Sequence, residues 1–168
     1  MSVYFGCSLF QNGFQITDSL TYTPPAIEIV TAPFKAGAMN APVYVDRGTK
    51  PMAATFKIGG SETFPYVFLG CTPGVEARLT VRRVYRDSGD VRYLEDELTG
   101  FISAIRPDPH GSSNKSDVGS TITMSVNYLK ISANGLIPLL EINPIQGLRK
   151  IMGVNVLGIP NNLLNLIL

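Results

Sequence analysis

The segment from Thr121 to Tyr128 alternates between polar and apolar side chains at every position. Its polar members are Thr121, Thr123, Ser125 and Asn127. Its apolar members are Ile122, Met124, Val126 and Tyr128. A period of two residues is that of a β-strand with one face in a core and the other facing outward. The polar face carries no charge, which leaves two interpretations open: an ordinary solvent-facing strand, or a wet surface with little room for long side chains.

Turn-forming residues recur along the chain and divide it into strands. Asn12-Gly13, Ser88-Gly89-Asp90 and Asn134-Gly135 each stand between apolar runs, which predicts hairpins because these residues tolerate positive φ. The longest predicted hairpin joins residues 77–86 to residues 91–105. Helices are predicted only at 65–69 and around 163–167, where proline, glycine and asparagine supply end signals. We therefore predict one all-β domain over residues 1–168, a β-sandwich or barrel with one or two short helices.

The charge content limits the kinds of partner. Only 16% of the 168 residues are charged, whereas about 25% is typical of soluble domains. A net charge of +1 argues against a general nucleic-acid binder. Few charges on a small chain indicate that apolar surface is buried against other chains. Residues 151–168 are uncharged but interrupted by glycine, proline and asparagine, so they predict an apolar docking tail and no membrane span.

Charged residues concentrate in the longest predicted hairpin. Eleven of the 22 residues from 76 to 97 are charged, with both signs represented. Mixed signs on paired strands favour ion pairs across the strands and between subunits, with an arginine-lined nucleic-acid face or simple solvation as alternatives. The candidates for intersubunit ion pairs are Arg78, Arg82, Arg83, Arg86, Glu95, Asp96 and Glu97.

No residue pattern predicts a catalytic, metal or cofactor site. The single histidine, His110, stands between proline and glycine in a predicted loop, where a general base is poorly held. Cys7 and Cys71 could pair with each other, but without an export signal in the sequence free, buried thiols are favoured. Neither has a second cysteine at close spacing, so no zinc ribbon is predicted. Phosphate-loop and nucleophile-elbow motifs are absent from the sequence.

Three stretches resemble the major tail tube proteins of contractile-tailed phages. The first is Phe34-Lys35-Ala36-Gly37-Ala38-Met39-Asn40-Ala41-Pro42-Val43, which continues as Tyr44-Val45-Asp46-Arg47-Gly48. The others are Ser125-Val126-Asn127-Tyr128-Leu129-Lys130 and Glu141-Ile142-Asn143-Pro144 leading to Gly147-Leu148-Arg149. The chain departs from the family pattern at Ala38, where relatives usually carry a second glycine.

The resemblance implies a non-enzymatic tube subunit, related to the tubes of R-type pyocins and type VI secretion. Such subunits join their sheets into sixfold rings that stack into a hollow cylinder inside a sheath. Residues 34–47 would then be an extended loop between rings, with contacts made by Phe34, Lys35, Ala36, Gly37, Ala38, Met39, Asn40, Ala41, Pro42 and Val43. The neutral row Thr121, Thr123, Ser125 and Asn127 would line the lumen, through which DNA passes without specific binding.

The same resemblance implies further partners and a location. Besides the sheath, these are baseplate and tail terminator proteins, in a virion tail assembled in the host cytoplasm. Two alternatives stay open at this point: the tube of a bacteriocin or secretion particle that carries no genome, and a small-molecule-binding β-barrel of the lipocalin kind.

Overall fold

Twelve strands and one four-residue helix make up the part of the chain that the computed structural model describes, residues 1–17, 20–70, 75–112 and 118–157. The all-β prediction is confirmed. In chain order the elements are β1 (Val3–Gln11), β2 (Phe14–Thr17), β3 (Leu20–Thr23), β4 (Ile29–Phe34), β5 (Val43–Thr49), β6 (Met52–Gly59), α1 (Phe64–Val67), β7 (Ala77–Asp87), β8 (Asp90–Pro107), β9 (Gly119–Ala133), β10 (Ile137–Asn143), β11 (Leu148–Ile151) and β12 (Val154–Asn155).

Ten of these strands form one antiparallel sheet organised around β9. The main path runs β12-β11-β10-β9-β8-β7-β1-β2, while β6 pairs with the first half of β9 and carries β3 on its other side. The sheet curls so that β3 comes beside β1, where the Cys7 thiol donates to the Leu20 carbonyl at 3.7 Å. The remaining two strands, β4 and β5, form a separate sheet.

Apolar side chains from most strands of the curled sheet fill its interior. Ten large side chains that are at most 1% exposed are Leu9, Phe56, Ile58, Leu79, Leu98, Ile102, Ile122, Met124, Leu129 and Ile142. Fully burying such a side chain contributes roughly 1.5–3 kcal/mol, so the interior is the main source of stability. Side chains occupy the space that a lipocalin-like barrel would reserve for a ligand.

The predicted hairpins are present in the structure. Asn12, Ser88 and Asn134 have φ values of 50°, 47° and 53°, and β7 and β8 pair along their length as predicted. The predicted first helix is present but covers Phe64–Val67. The second predicted helix, Cys71 and residues 158–168 of the predicted docking tail lie outside the described residues.

A β-bulge in β9 changes which side chains face the core. Thr99 pairs with Tyr128 and Gly100 with Val126, so Asn127 is an extra residue in β9. The bulge reverses the alternation: Leu129 is buried, and Tyr128 turns outward with its hydroxyl donating to Glu141 at 3.1 Å. The sequence-based placement of Tyr128 on the apolar face was therefore wrong.

Glycine is required where β8 passes this bulge. A Cβ on Gly100 would lie 1.9 Å from the backbone oxygen of Ser125. That distance is far below van der Waals contact, and the obstructing atom belongs to the backbone. The close approach of β8 and β9 therefore depends on a residue without a side chain.

Candidate assembly surfaces

The segment predicted to join rings, residues 34–47, lies at the end of the separate β4–β5 hairpin. Phe34 ends β4 and pairs with Val43, the first residue of β5. Residues 35–42 connect the strands, and Pro42 stands immediately before β5 begins, as expected for a residue that cannot donate to a ladder. The segment is thus part loop and part paired strand.

The tip of the hairpin is a turn closed by its own atoms. The Met39 amide donates to the Ala36 carbonyl at 2.9 Å, and the Ala36 amide donates to the Met39 sulfur at 3.3 Å. Met39 is accordingly half-buried in its own loop. Ala38 does not adopt a positive φ, so alanine causes no backbone strain where relatives have a second glycine.

Apolar side chains remain exposed along the hairpin. Tyr44 is 77% exposed, and Phe34 and Val43, which face each other across the ladder, are 49% and 47% exposed. Ile29 and Val30 at the start of β4 are also exposed. Apolar side chains grouped on one projecting element are typical of a surface that contacts another chain.

The predicted lumen residues share the outer face of the sheet. Thr121, Thr123, Ser125 and Asn127 are each partly exposed. The partners of Thr123 and Ser125 are small or uncharged, and include Thr55 on β6 and Phe101 on β8.

Charges occur at the Thr121 end of this row, where Lys57 and Arg106 are its direct partners. Lys57 forms an ion pair with Asp108, which also accepts the Gly119 amide at 3.0 Å. The Lys57 hydrogen bond, more than the Gly119 amide, lowers the pKa of Asp108 below its ordinary value.

Beyond the bulge, the same outer face is charged. Arg82 Nε donates to Glu95 Oε2 at 2.9 Å across β7 and β8, and its guanidinium lies 4.7 Å from the ring centroid of Phe10. Glu141 accepts from Tyr128 and lies 3.9 Å from Lys150. The outer face therefore has a largely neutral part around Thr123 and Ser125, with charged side chains on both sides of it.

A second ion pair of the same hairpin points into the interior. Arg83 Nη2 donates to Asp96 at 2.8 Å, and the Tyr22 hydroxyl donates to the other carboxylate oxygen at 3.0 Å. Asp96 is fully buried. Burial, followed by the charge of Asp96, raises the pKa of Tyr22. This network links β3, β7 and β8 at the end of the apolar core.

These two pairs narrow the prediction of intersubunit ion pairs. Arg82–Glu95 and Arg83–Asp96 are satisfied within one chain. Arg78, Arg86 and Glu97 form no ion pair with any described residue and are at least partly exposed. Contacts with a neighbouring subunit therefore stay a prediction for these three side chains.

Sequence reasoning missed one contact that joins the hairpin to the main sheet. Arg149 of β11 donates to Asp46 of β5, with Nη1 to Oδ2 at 2.5 Å and Nη2 to Oδ1 at 3.4 Å. The Arg149 hydrogen bond and the Gly48 amide together hold the pKa of Asp46 below its ordinary value. Both residues lie in the stretches that resemble tube proteins, but no local pattern connects positions 103 apart.

The described residues provide no cluster of side chains for a metal ion: no group of three or more His, Cys, Asp or Glu side chains among them is placed to hold one. His110 is exposed and Cys7 is a buried thiol. Across the described part of the chain, no helix has the length and apolar character needed to cross a membrane. The exposed apolar hairpin is the described feature that favours a contact with another chain.

The chain belongs to the phage tail tube protein FII family, whose profile matches residues 4–159. The resemblance to tail tube proteins of contractile-tailed phages is confirmed at the level of the family, and with it the assignment as a structural protein and not an enzyme. No sequence among the curated proteins matches this chain.

The chain matches solved structures of low sequence identity, two of which share its fold with TM-scores above 0.5. A chain of the sheath-tube complex of an extracellular contractile injection system, PVC, in its extended state is 12% identical with a TM-score of 0.58 over 76% of this chain and 88% of that chain. The sheath/tube terminator structure of the same kind of system gives 10% identity and a TM-score of 0.58, covering 76% and 94%. Hcp1 from Flavobacterium johnsoniae is 18% identical with a TM-score of 0.43, covering 83% and 99%.

Proposed function

We propose that this chain is the tube subunit of a contractile phage tail, polymerising into stacked hexameric rings that conduct DNA during ejection. The tube lies inside a sheath and meets baseplate and terminator proteins at its ends, in a virion tail assembled in the host cytoplasm. The observation that carries the proposal is the projecting β4–β5 hairpin with its exposed apolar side chains. Likeness of fold to a chain of a sheath-tube complex supports the same conclusion.

The filled core supports the proposal that several subunits form a ring. Because the interior is occupied by side chains, one subunit cannot enclose a channel for a DNA duplex, and several subunits must surround it. The main sheet path ends at β2 and β12, and unpaired strand edges of this kind are protected when neighbours join their sheets. Arg78, Arg86 and Glu97 would meet opposite charges on the adjacent subunit and fix the register of the ring.

The neutral row on β9 suits the wall of the channel. Thr123, Ser125 and Asn127 hydrate readily and carry no cation, so this part of the face would let DNA pass without holding its phosphates. The cations Lys57 and Arg106 lie at the Thr121 end of the row, where Lys57 is paired with Asp108. We expect Thr123→Glu to leave ring and rod formation intact, because its side chain would extend into water. If Thr123→Glu subunits fold but form no rods, this face belongs to a subunit boundary instead.

The test of stacking is electron microscopy of the purified protein, which should contain rings or hollow rods. Tyr44→Asp places a charge on the most exposed apolar side chain of the hairpin and should abolish rods while circular dichroism of the subunit is unchanged. Ser61→Asp, an exposed residue outside the hairpin, is the matched control and should form rods. Rods from Tyr44→Asp at the wild-type concentration would contradict the role of the hairpin.

A second candidate is the tube of an injection or bacteriocin particle without a genome. The fold-level likeness to a chain of an extracellular contractile injection system favours this reading. The two candidates differ in the particle and not in the subunit. Native particles isolated with an antibody against this chain and treated with nuclease should contain protected DNA if they are phage, and none if they are injection particles.

A further inference from the structure

A side chain of β11, Arg149, forms hydrogen bonds that join the β4–β5 hairpin to the main sheet. Arg149 reaches Asp46 with both terminal nitrogens and also lies 3.4 Å from the Thr49 hydroxyl. The Arg149 side chain is 10% exposed, whereas that of Asp46 is 46% exposed. A second ion pair, Lys50–Glu28, joins the residue after β5 to the residue before β4. Both of its side chains are more than half exposed.

Arg149 binds the hairpin next to a β-bulge in β5. Thr31 pairs with Asp46 while Ile29 pairs with Thr49, so β5 contains one extra residue between these pairs. Gly48 lies in this bulge with a φ of 109°, and its amide donates to Asp46 at 2.8 Å. Because a bulge redirects the strand that contains it, the carboxylate of Asp46 is placed where the direction of the hairpin is set.

The main sheet depends on the hairpin for charge compensation. Arg149 is buried, and its Nε has no hydrogen-bond partner among the described residues. A buried guanidinium is tolerated when a carboxylate lies against it, and loss of that carboxylate leaves an uncompensated charge. A movement of the hairpin that separates Asp46 from Arg149 would therefore cost free energy, because it would leave the buried charge of Arg149 uncompensated.

We propose that Asp46 and Arg149 are positioning residues for ring stacking: they clasp the hairpin at its bulge and fix the direction in which it projects. This rests on the proposed function, since positioning matters only if the hairpin contacts another ring. A hairpin that Arg149 already holds in the direction needed for contact loses less conformational freedom when it meets the next ring. Rings therefore stack at a lower subunit concentration.

The first test measures the hairpin in the unassembled subunit by hydrogen exchange. Asp46→Asn, which keeps the shape and removes the charge, should accelerate exchange of the amides in 29–49 about tenfold and leave β7–β9 unchanged. The matched control is Glu28→Gln, which removes the exposed ion pair beside the hairpin and should change exchange less than about threefold. Asp46→Glu retains the charge and should restore most of the protection.

The second test measures the concentration at which rods form. Asp46→Asn should require about tenfold more subunit than the wild type, whereas Glu28→Gln should not. If amide exchange in Asp46→Asn is unchanged, the Asp46–Arg149 contact does not hold the hairpin and the proposal is overturned. Equal acceleration across the whole sheet would also overturn it, because the contact would then stabilise the subunit in general. Faster exchange with rods at the wild-type concentration would overturn positioning. If the wild type forms no rods, the proposed function fails, while the exchange experiment still tests the clasp.

Discussion

Neighbouring residues of β8 provide a direct comparison between a buried and a surface ion pair. Asp96 is fully buried and bonded to Arg83 and Tyr22, whereas Glu95 pairs with an arginine that is 48% exposed on the outer face. Asp96→Asn leaves the half-buried Arg83 without a counter-charge, which costs about 3–5 kcal/mol in comparable buried pairs. Glu95→Gln removes a pair of the surface kind, worth about 0–1 kcal/mol.

Urea unfolding of the unpolymerised subunit, followed by circular dichroism, measures both variants. For slopes of roughly 1–3 kcal/mol per molar urea, Asp96→Asn should lower the midpoint by at least about 1 M. Glu95→Gln should lower it by less than the Asp96 variant under identical conditions. Equal shifts in the two variants would refute the reasoning, because they would place Asp96 in contact with water and Arg83 outside the core.

Two further outcomes are expected. Gly100→Ala should lower the free energy of unfolding, measured by thermal melting, by about 3 kcal/mol or more, because its Cβ would collide with the backbone of Ser125. The control Gly6→Ala, with no atom within 4 Å of the added Cβ, should be close to neutral. Equal melting temperatures of the two variants would contradict the close approach of β8 and β9 at the bulge. Burial and the hydrogen bond to Glu141 raise the pKa of Tyr128 to about 12, so this contact stabilises the fold below pH 10 and is lost as the pH rises towards 12. Phenolate absorbance compared between wild type and Tyr128→Phe should reveal a tyrosine that ionises late, and ionisation near pH 10 would contradict the contact.

Local signals in the sequence predicted local structure well. The hairpin turns at Asn12, Ser88 and Asn134 followed from residues that accept positive φ, and the half-exposed row on β9 followed from its period of two. These features depend on neighbours within a few positions, which a single sequence displays directly.

Contacts between distant segments could not be predicted in the same way. The bulge at Asn127 that turns Tyr128 outward depends on how β8 passes β9, and no residue pattern within β9 marks it. Asp96 and Glu95 are both acidic, so their charge does not predict which of the two is buried. The burial of Asp96 depends on the register of β7 with β8 and on Tyr22 from β3. The Asp46–Arg149 contact joins two motif segments that lie 103 positions apart in the sequence.

The β4–β5 hairpin carries its own ladder, and at its base the Lys50 amide donates to the Glu28 carbonyl at 2.9 Å. Residues 28–50 therefore leave and re-enter the main sheet at nearly one point, which makes them exchangeable as a cassette. If the hairpin makes the proposed contacts between rings, a chimera that receives residues 28–50 from a related tube, with a compatible residue at 149, would acquire the stacking preference of the donor. Compatibility between tubes of different particles would then be inherited through some twenty residues together with their partner at position 149.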